Sequence, residues 1–236
     1  MINDSAFLDL LPARDKRSGM AEAVKVALIR DADFFDWIER EADALARFEP
    51  NALDTMVRRC AKLHMHQIAH GADPFETGSA RPLDYGHWSA HKLEALTHHA
   101  LRHGEAVAIG ITLDARYSVL RGLLPEGEEV RVQQLLARLG FTLWDDALEL
   151  RDEKRRRRVI AGLADFQEHL GGELTVTLLE GIGRGVEVHV MDHELIEQSI
   201  RWLKAQQKLL SRTARPRESG DPGPGAKGSG FPLARE

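Results

Sequence analysis

The sequence has 236 residues, of which 43% are hydrophobic, and a formal net charge of -5, which is enough for one domain with a sizeable core. This weakly acidic balance gives no electrostatic reason to expect nucleic acid as a partner. The single cysteine, Cys60, excludes an internal disulfide and fits a reducing compartment. The first residues do not resemble a signal peptide, and no apolar run approaches the roughly 18 residues of a membrane span. We therefore expect a cytoplasmic protein that does not bind membranes.

Apolar residues at helical spacing predict that most of the chain is α-helical. A first helix is predicted over residues 19–28, and its phase continues through residues 34–38 after a break. A second helix begins near Asn51, a suitable N-cap, and reaches residue 68. A loop rich in glycine and proline follows, and two helices are predicted over residues 86–99 and 104–120. The basic run at residues 154–158 is interpreted as a solvated helix face rather than a phosphate-binding site.

One stretch of the sequence predicts β-structure. Residues 173–179 and 186–190 are β-branched and alternate in polarity, with GIGRG between them as a hairpin loop. A last helix is predicted over residues 193–210, and residues 211–236 have the composition of a disordered tail. The predicted fold class is mainly α: a helical domain over residues 19–210 with one small hairpin and no βαβ repeat.

Three histidines in the middle of the chain have the spacing of metal ligands. His87 and His91 are four residues apart, so on a helix they project from one face about one turn apart. This spacing suits two ligands of one metal ion, or one ligand and one residue that contacts what the metal holds. His103 follows beside Gly104, where a turn can return it to the same face. Partly buried histidines satisfied by hydrogen bonds would give the same pattern, and the spacing alone leaves both interpretations open.

A metal ion with two histidine ligands needs at least one further protein ligand, often a carboxylate. Glu22 is a candidate because Lys25 follows it by one helical turn in the otherwise apolar stretch GMAEAVKVALI. A carboxylate and a lysine on an apolar helix face are costly to bury without partners. The alternative is an ordinary surface ion pair. His98 and His99 have no comparable context and are predicted to lie on the surface.

The segments GMAEAVK, DYGHWSAH and RHGEAVAIG occur in this order along the chain. They resemble the G-M-A-E-x-x-K, N-F-G-H-x-x-G-H and H-G-E-A-V-A-I-G motifs in the C-terminal domain of the 3-dehydroquinate synthase family. The resemblance extends over about residues 7–190. It implies the metal- and substrate-binding domain of a sugar-phosphate cyclase, with zinc (or cobalt or iron) held by Glu22, His87 and His103. It also implies that Lys25 and His91 are catalytic residues that contact the substrate near the metal.

The resemblance also implies a substrate site, where the sequence departs from the family. Asp84 stands where the family has an asparagine, and His64 stands where the family has a lysine. Arg81 is displaced by one position from the family's arginine. QEHLGG replaces a late Asp-Lys-Lys motif, which leaves His169 as a candidate phosphate contact. The loss of these cations weakens the case for the carboxylate substrate of dehydroquinate synthase itself. The Arg-Pro before the Tyr-Gly-His resembles the sedoheptulose 7-phosphate cyclases, although those typically lose the second histidine, which His91 retains.

Members of this family begin with an NAD-binding domain of ~150 residues, and no such pattern is found in this sequence. Residues 1–18 resemble the family's hinge segment, where Phe7 and Leu11 would line the nicotinamide side. The implied reaction is a metal- and NAD-dependent elimination of phosphate from a ketose or heptulose phosphate, followed by an intramolecular aldol cyclisation.

Two hypotheses about function are open. In the first, the chain is part of a cyclase and is inactive without a separate NAD-binding chain or domain. In the second, it is a stand-alone metal- or substrate-binding domain without catalysis. The expected ligand is a small-molecule sugar phosphate, and a homodimer is implied by the resemblance only.

Overall fold

A computed structural model describes residues 5–70, 82–169 and 172–213 of the chain. The α-helices are α1 (Ala13–Arg30), α2 (Ala32–Arg40), α3 (Ala42–Ala46), α4 (Pro50–His70), α5 (His87–Leu96), α6 (His103–Leu120), α7 (Glu128–Arg138), α8 (Gly162–His169) and α9 (His193–Thr213). The strands are β1 (Val176–Gly181) and β2 (Arg184–Val188), and short 3-10 helices lie at Ser5–Leu10, Pro82–Asp84, Asp146–Glu149 and Arg158–Ala161. The prediction of a mainly α fold with one β-hairpin is confirmed for the residues described.

Helix α6 lies at the centre of the fold. Residues 106–115 of this helix are all buried, so it presents no face to solvent over almost three turns. A helix that is buried all round must be covered on every side, and α1, α5, α7, α9 and β1 all pack against it. Its exposed N-terminus begins at the predicted ligand His103, so the core fixes the direction in which that end of the helix points.

Helix α1 begins at Ala13, earlier than the start predicted at residue 19. Pro12 precedes it, and the fixed φ of proline suits the start of a helix. The Arg14 guanidinium donates to both carboxylate oxygens of Glu105, at 2.7 and 2.6 Å, and to the Ala100 carbonyl at 2.8 Å. These contacts fasten the first turn of α1 to the N-terminus of α6, so part of the segment predicted as a hinge is helical.

Two predicted helix boundaries differ from the structure. Helix α4 begins at Pro50 rather than after an N-cap at Asn51; proline suits this position because the first N–H of a helix needs no partner within it. Helix α5 ends at Leu96, before residue 99, because His98 and His99 have φ values of 50° and 60°. Such left-handed backbone does not continue a right-handed helix. Both histidines are exposed, as predicted.

The hairpin pairs two antiparallel strands, with Val176 opposite Val188. Its strands are shifted from the predicted ranges, because β1 continues to Gly181 and pairs there with Arg184. The predicted alternation is wrong for β1, where residues 176–179 are all buried. Helices α1 and α6 both pack against this strand, which explains why it has no solvent-facing positions there.

The turn of the hairpin is fastened to the end of α1. Gly183 has a φ of 80°, and its N–H donates to the Leu28 carbonyl at 2.8 Å. A Cβ on Gly183 would lie 2.4 Å from the Ala32 backbone nitrogen, so only glycine allows this approach. The glycine-rich segment therefore allows the hairpin turn to pack closely against the end of α1.

The interpretation of residues 154–158 as a solvated helix face is right about exposure, except at Arg157, and wrong about the helix. These residues form a turn and the start of a 3-10 helix, held by a bridge between Arg151 and Arg157. The Arg157 side chain is 5% exposed, and it pairs with Glu197 at 2.8 Å and with Glu149 at 3.2 Å. Glu197 lies 40 residues further along the chain, so the basic run itself gives no sign that Arg157 is buried.

Helix α9 continues to Thr213, which lies within the segment predicted as a tail. Residues 214–236 lie outside the described part of the chain. Among the described residues, no helix combines the length and the apolar character needed to cross a membrane.

Candidate metal centre

Three predicted ligands come together where α1, α5 and α6 meet. Glu22 lies in the middle of α1, whereas His87 and His103 are the first residues of α5 and α6. One ligand atom from each of the three residues lies within 4.8 Å of the others. The structure therefore gathers, from three separate segments, a donor set of one carboxylate and two imidazoles. This set suits zinc, cobalt or iron.

Close backbone contact between α1 and α6 places Glu22 beside His103. A Cβ on Gly104 would lie 2.2 Å from the carbonyl oxygen of Ser18, so a larger residue at position 104 would push the two helices apart. Ser18 lies one helical turn before Glu22, and Gly104 adjoins His103. The resulting distance between Glu22 Oε1 and His103 Nε2 is 3.5 Å.

His87 is held in the tautomer that leaves Nε2 available to a metal. Its Nδ1 lies 3.1 Å from the Tyr85 carbonyl oxygen, which can only accept a hydrogen bond, so Nδ1 carries the proton. Burial and the nearby charge of Lys25 lower the pKa of His87 to about 4. The imidazole is therefore neutral at pH 7, which is the form that binds metals.

Glu22 is charged but incompletely partnered. Burial by itself raises the pKa of its carboxyl group, but the interactions with His103 and Lys25 outweigh burial and lower the pKa to about 2. Lys25 Nζ lies 2.6 Å from Glu22 Oε2, and the lysine side chain is 6% exposed. Glu22 Oε1 is buried and forms no hydrogen bond. His103 Nε2 lies 3.5 Å from it, which is long for a hydrogen bond, and a bound cation would satisfy this buried oxygen better.

Glu94 orients the third ligand. Its Oε2 lies 3.0 Å from His103 Nδ1, an arrangement in which a carboxylate accepts the Nδ1 proton and directs Nε2 towards a metal. The interaction with Glu22 raises the pKa of His103 to about 9, against the effect of burial, and Glu94 adds to the rise. Without a metal, His103 thus carries a second proton on Nε2, which a metal ion would displace.

A second possible group shares His103 with the first. Atoms of His91, Glu94 and His103 also lie within 4.8 Å of one another. Here, however, the Glu94 carboxylate already accepts from His103 Nδ1, whereas the Glu22 oxygen has no such partner. The unsatisfied oxygen favours the group formed by Glu22, His87 and His103.

The structure places some of the other predicted site residues near this centre. The His91 ring is 5.3 Å from the His87 ring and 5.9 Å from the His103 ring. Asp84 is half-buried at the end of the 3-10 helix just before the His87 turn. Arg81 lies outside the described residues, and the described part of the chain likewise does not include the side chains of His64 and His169.

Phe7 and Leu11 are predicted to lie on the nicotinamide side. Phe7 belongs to the 3-10 helix Ser5–Leu10, and Leu11 is the residue that follows this helix. Phe7 is 67% exposed and Leu11 is 42% exposed. Leu11 lines an apolar groove of about 360 Å³ between this segment and α4, together with Leu8 and Met56. Glu22, His87 and His103 do not line this groove, although it shares Asp15 and Gly19 with the cavity that Glu22 and His103 line. The nicotinamide assignment stays a prediction.

Two residues near the centre were not found from the sequence. Glu94 follows His91 by three residues, and that helical spacing was a usable signal. Asp114 lies far along α6, where it accepts hydrogen bonds from the residues on either side of His87. No local pattern marks it, because its partners come from another helix.

The fold is shared with solved sugar-phosphate cyclases. ValA, the 2-epi-5-epi-valiolone synthase of Streptomyces hygroscopicus subsp. jinggangensis 5008 with NAD+ and Zn2+ bound, has a TM-score of 0.77 and 31% identity, covering 86% of this chain and 55% of that one. A 2-deoxy-scyllo-inosose synthase complexed with carbaglucose-6-phosphate, NAD+ and Co2+ has a TM-score of 0.67 and 24% identity, covering 84% and 55%. The second likeness shows the fold alone.

Residues 19–157 match the family model described as 3-dehydroquinate synthase C-terminal. The 3-dehydroquinate synthase of Dichelobacter nodosus is 36% identical over 195 residues, which are 81% of this chain and 50% of that protein. The 3-dehydroquinate synthase of Acidithiobacillus ferrooxidans is 35% identical over 202 residues, covering 85% and 53%. The chain belongs to the 3-dehydroquinate synthase family, and it spans about half the length of these relatives.

Proposed function

We propose that the chain forms the metal- and substrate-binding half of a sugar-phosphate cyclase, which acts together with NAD bound by a domain outside the described residues. The observation that carries this proposal is the unsatisfied, buried Oε1 of Glu22 within a cluster of three ligand atoms. Buried charges in proteins are paired or coordinate metals. The Zn2+ bound by ValA supports the same conclusion.

Each residue of the cluster has a distinct role in this proposal. Glu22, His87 and His103 hold the metal, which when bound supplies Lewis-acid polarisation of substrate oxygens. The buried ammonium of Lys25, 2.6 Å from Glu22, stabilises negative charge that develops on a substrate hydroxyl oxygen. His91 is exposed at the edge of the cluster, where its imidazole can donate a hydrogen bond to the substrate or accept a proton from it.

Space and helix N-termini beside the cluster suit a phosphorylated ligand, although the cavity is also lined by the acidic residues Asp15, Glu22 and Glu94. A cavity of about 440 Å³ is lined by Ser18, Glu22, Glu94 and His103, among others. Helices α5 and α6 both begin at this cluster, since His87 and His103 are their first residues. Helix N-termini carry partial positive charge and favour phosphate and other anions.

An exposed apolar surface favours the cyclase hypothesis over the stand-alone domain. Phe7 and Leu10 are 67% and 78% exposed, and the apolar groove next to them is lined by Leu8, Leu53 and Met56. Contiguous apolar surface of this kind marks a binding site. The partner that we propose is the NAD-binding domain that the resemblance implies.

Complementation tests this function directly. The full chain is mixed with the NAD-binding half of the Dichelobacter nodosus enzyme, expressed separately, and supplied with NAD, Zn2+ and heptulose phosphates that include sedoheptulose 7-phosphate. We expect release of inorganic phosphate only when both chains are present. Binding of zinc and sugar phosphate without phosphate release, under conditions where the two chains associate, would support the stand-alone binding domain instead.

Zinc binding itself is tested with two histidine variants. Removing a ligand by His103→Ala should lower zinc affinity at least tenfold, because changes even to residues behind the ligands cost about that much. The matched control is His193→Ala, which removes an exposed histidine at the start of α9. Equal zinc affinity in the two variants would exclude the assigned ligand set.

A further inference from the structure

Asp114 is a fully buried acid in the centre of the fold that no step above uses. It lies on α6, the helix that begins at His103, and its relative exposure is 0%. One carboxyl oxygen accepts from the Trp88 indole Nε1 at 2.9 Å, and the other accepts from the Gly86 backbone N–H at 3.2 Å. Both donors belong to the turn that begins α5, and His87 lies between them in sequence.

The turn that carries His87 is pressed against α6 at the same place. Gly86 has a φ of 80°, and a Cβ on Gly110 would lie 2.1 Å from the Gly86 carbonyl oxygen. The Tyr85 hydroxyl donates to the Ile111 carbonyl at 3.1 Å. The residues on both sides of His87 are therefore fixed to α6, and Asp114 accepts from one backbone N–H, that of Gly86, and from one side-chain N–H, that of Trp88.

Packing alone gives no reason for an acid at this position. A buried carboxyl group is costly unless its oxygens accept hydrogen bonds. An apolar residue of similar size would fill the space, but it would leave the N–H groups of Gly86 and Trp88 without an acceptor. The carboxyl group fixes the orientation of the turn, because its two oxygens hold the N–H groups of Gly86 and Trp88, which flank His87. The geometry of His87 is the property that these two hydrogen bonds determine.

We propose that Asp114 is a positioning residue for the metal centre: by holding Gly86 and Trp88, it fixes the direction in which His87 leaves the turn and directs Nε2 towards Glu22 and His103. Helix α6 then supplies one ligand from its first residue and orients a second ligand from its interior. This inference rests on the proposed function, since it assigns Asp114 a task only if His87 binds metal.

The test uses the full chain with two variants that each remove part of the arrangement. Asp114→Asn keeps the size of the side chain but replaces one acceptor oxygen with a donor nitrogen. Trp88→Phe keeps an aromatic ring but removes the indole N–H. The control is Thr112→Val, which changes another buried polar side chain of α6 whose hydroxyl bonds only within the helix, to the Ala108 carbonyl at 2.8 Å.

Two measurements separate positioning from a purely structural role. Zinc affinity is measured by competition with a chromophoric chelator, well below the melting temperature of each variant, and the visible absorption of the Co2+-loaded protein reports ligand geometry. We expect Asp114→Asn to weaken zinc binding about tenfold or more and to change the Co2+ spectrum. Trp88→Phe should act in the same direction, and Thr112→Val should match the wild type in both measurements.

The outcomes distinguish this inference from the proposed function. Suppose that zinc binding depends on His87, but that zinc affinity and the Co2+ spectrum are unchanged in whichever of Asp114→Asn and Trp88→Phe folds. This result overturns the inference and leaves the proposed metal centre intact. A loss of thermal stability alone, without a change in either metal measurement, also overturns it. If the wild-type chain and His87→Ala fail equally to bind zinc, the proposed metal centre fails, and the inference fails with it.

Discussion

Replacing Gly104 with alanine tests whether the contact between α1 and α6 builds the metal centre. The new Cβ would lie 2.2 Å from the Ser18 carbonyl oxygen, where ordinary contacts begin at 3.4 Å. The two helices must therefore separate by roughly 1 Å, and overpacking of this kind costs about 1–3 kcal/mol. The higher helix propensity of alanine offsets up to about 1 kcal/mol of that cost.

This separation acts directly on the ligand set. Glu22 follows Ser18 by one turn, and His103 adjoins Gly104, so the gap of 3.5 Å between their nearest atoms must widen. We expect Gly104→Ala to lower the free energy of unfolding in urea by roughly 1–2 kcal/mol. We also expect at least a tenfold loss of zinc affinity, measured by chelator competition, because the cost of misplaced ligands is of that order.

Gly19→Ala is the matched control for this prediction. Gly19 lies in α1, next to Ser18, but no atom lies within 4 Å of the Cβ that alanine would add. The substitution should stabilise the metal-free protein by up to about 1 kcal/mol and leave zinc affinity unchanged. If Gly104→Ala behaved like Gly19→Ala in both assays, close contact between α1 and α6 would not be what holds the ligands together.

Three further predictions concern other parts of the structure. Glu22→Gln should weaken zinc binding by roughly 100- to 1,000-fold, if one protein ligand of a four-coordinate ion with an open fourth position contributes about a quarter of the 10–16 kcal/mol typical of structural zinc; isothermal titration calorimetry measures this. Arg157→Met should lower the unfolding free energy in urea by about 3 kcal/mol, the lower end of the cost of breaking a buried ion pair, because the largely buried Glu197 carboxylate would keep only Arg201, at 3.9 Å, as a cationic partner. Burial raises the pKa of Asp114 from 3.8 to about 7, against hydrogen bonds that lower it. The unfolded chain therefore loses this proton at a lower pH than the folded chain does, and the stability that Asp114 contributes should fall between about pH 4 and pH 7, by an amount on the order of 4 kcal/mol. The difference in unfolding free energy between the wild type and Asp114→Asn, measured across this range, should show the fall.

Each of these predictions has a contrary result. Unchanged zinc affinity in Glu22→Gln would remove the carboxylate from the ligand set. Arg156→Met, at an exposed neighbour, should cost far less than Arg157→Met, and equal costs would contradict the role given to burial. A constant difference between the wild type and Asp114→Asn from pH 4 to pH 7 would mean that Asp114 titrates alike in the folded and unfolded chains.

The sequence predicted the parts of the structure that depend on local pattern. Apolar spacing gave the helices that now appear as α1, α6 and α9, and β-branched alternation gave the hairpin. Three short motifs pointed to Glu22, His87 and His103, whose ligand atoms the structure brings within 4.8 Å. These features were predictable because each lies within one segment or one matched motif.

The features that the sequence did not predict depend on residues far apart in the chain. The early start of α1 is held by Arg14 on Glu105, and the burial of Arg157 depends on Glu197. Asp114 likewise gains its role only when α5 packs on α6. None of these pairs leaves a local pattern, since the partners meet only after the helices have packed.

The paired charges of the candidate metal centre bear on whether the fold depends on a metal ion. The carboxylates of Glu22 and Glu94 are matched by the ammonium of Lys25 and the protonated imidazole of His103, so the metal-free cluster carries no net charge. Small zinc domains fold only when the ion arrives, because their core is too small without it. Here a large apolar core and a neutral cluster let the helices assemble first. Binding of a metal ion at the proposed site would then exchange a cation for a proton in an assembled fold, and the fold should be the same with and without a chelator.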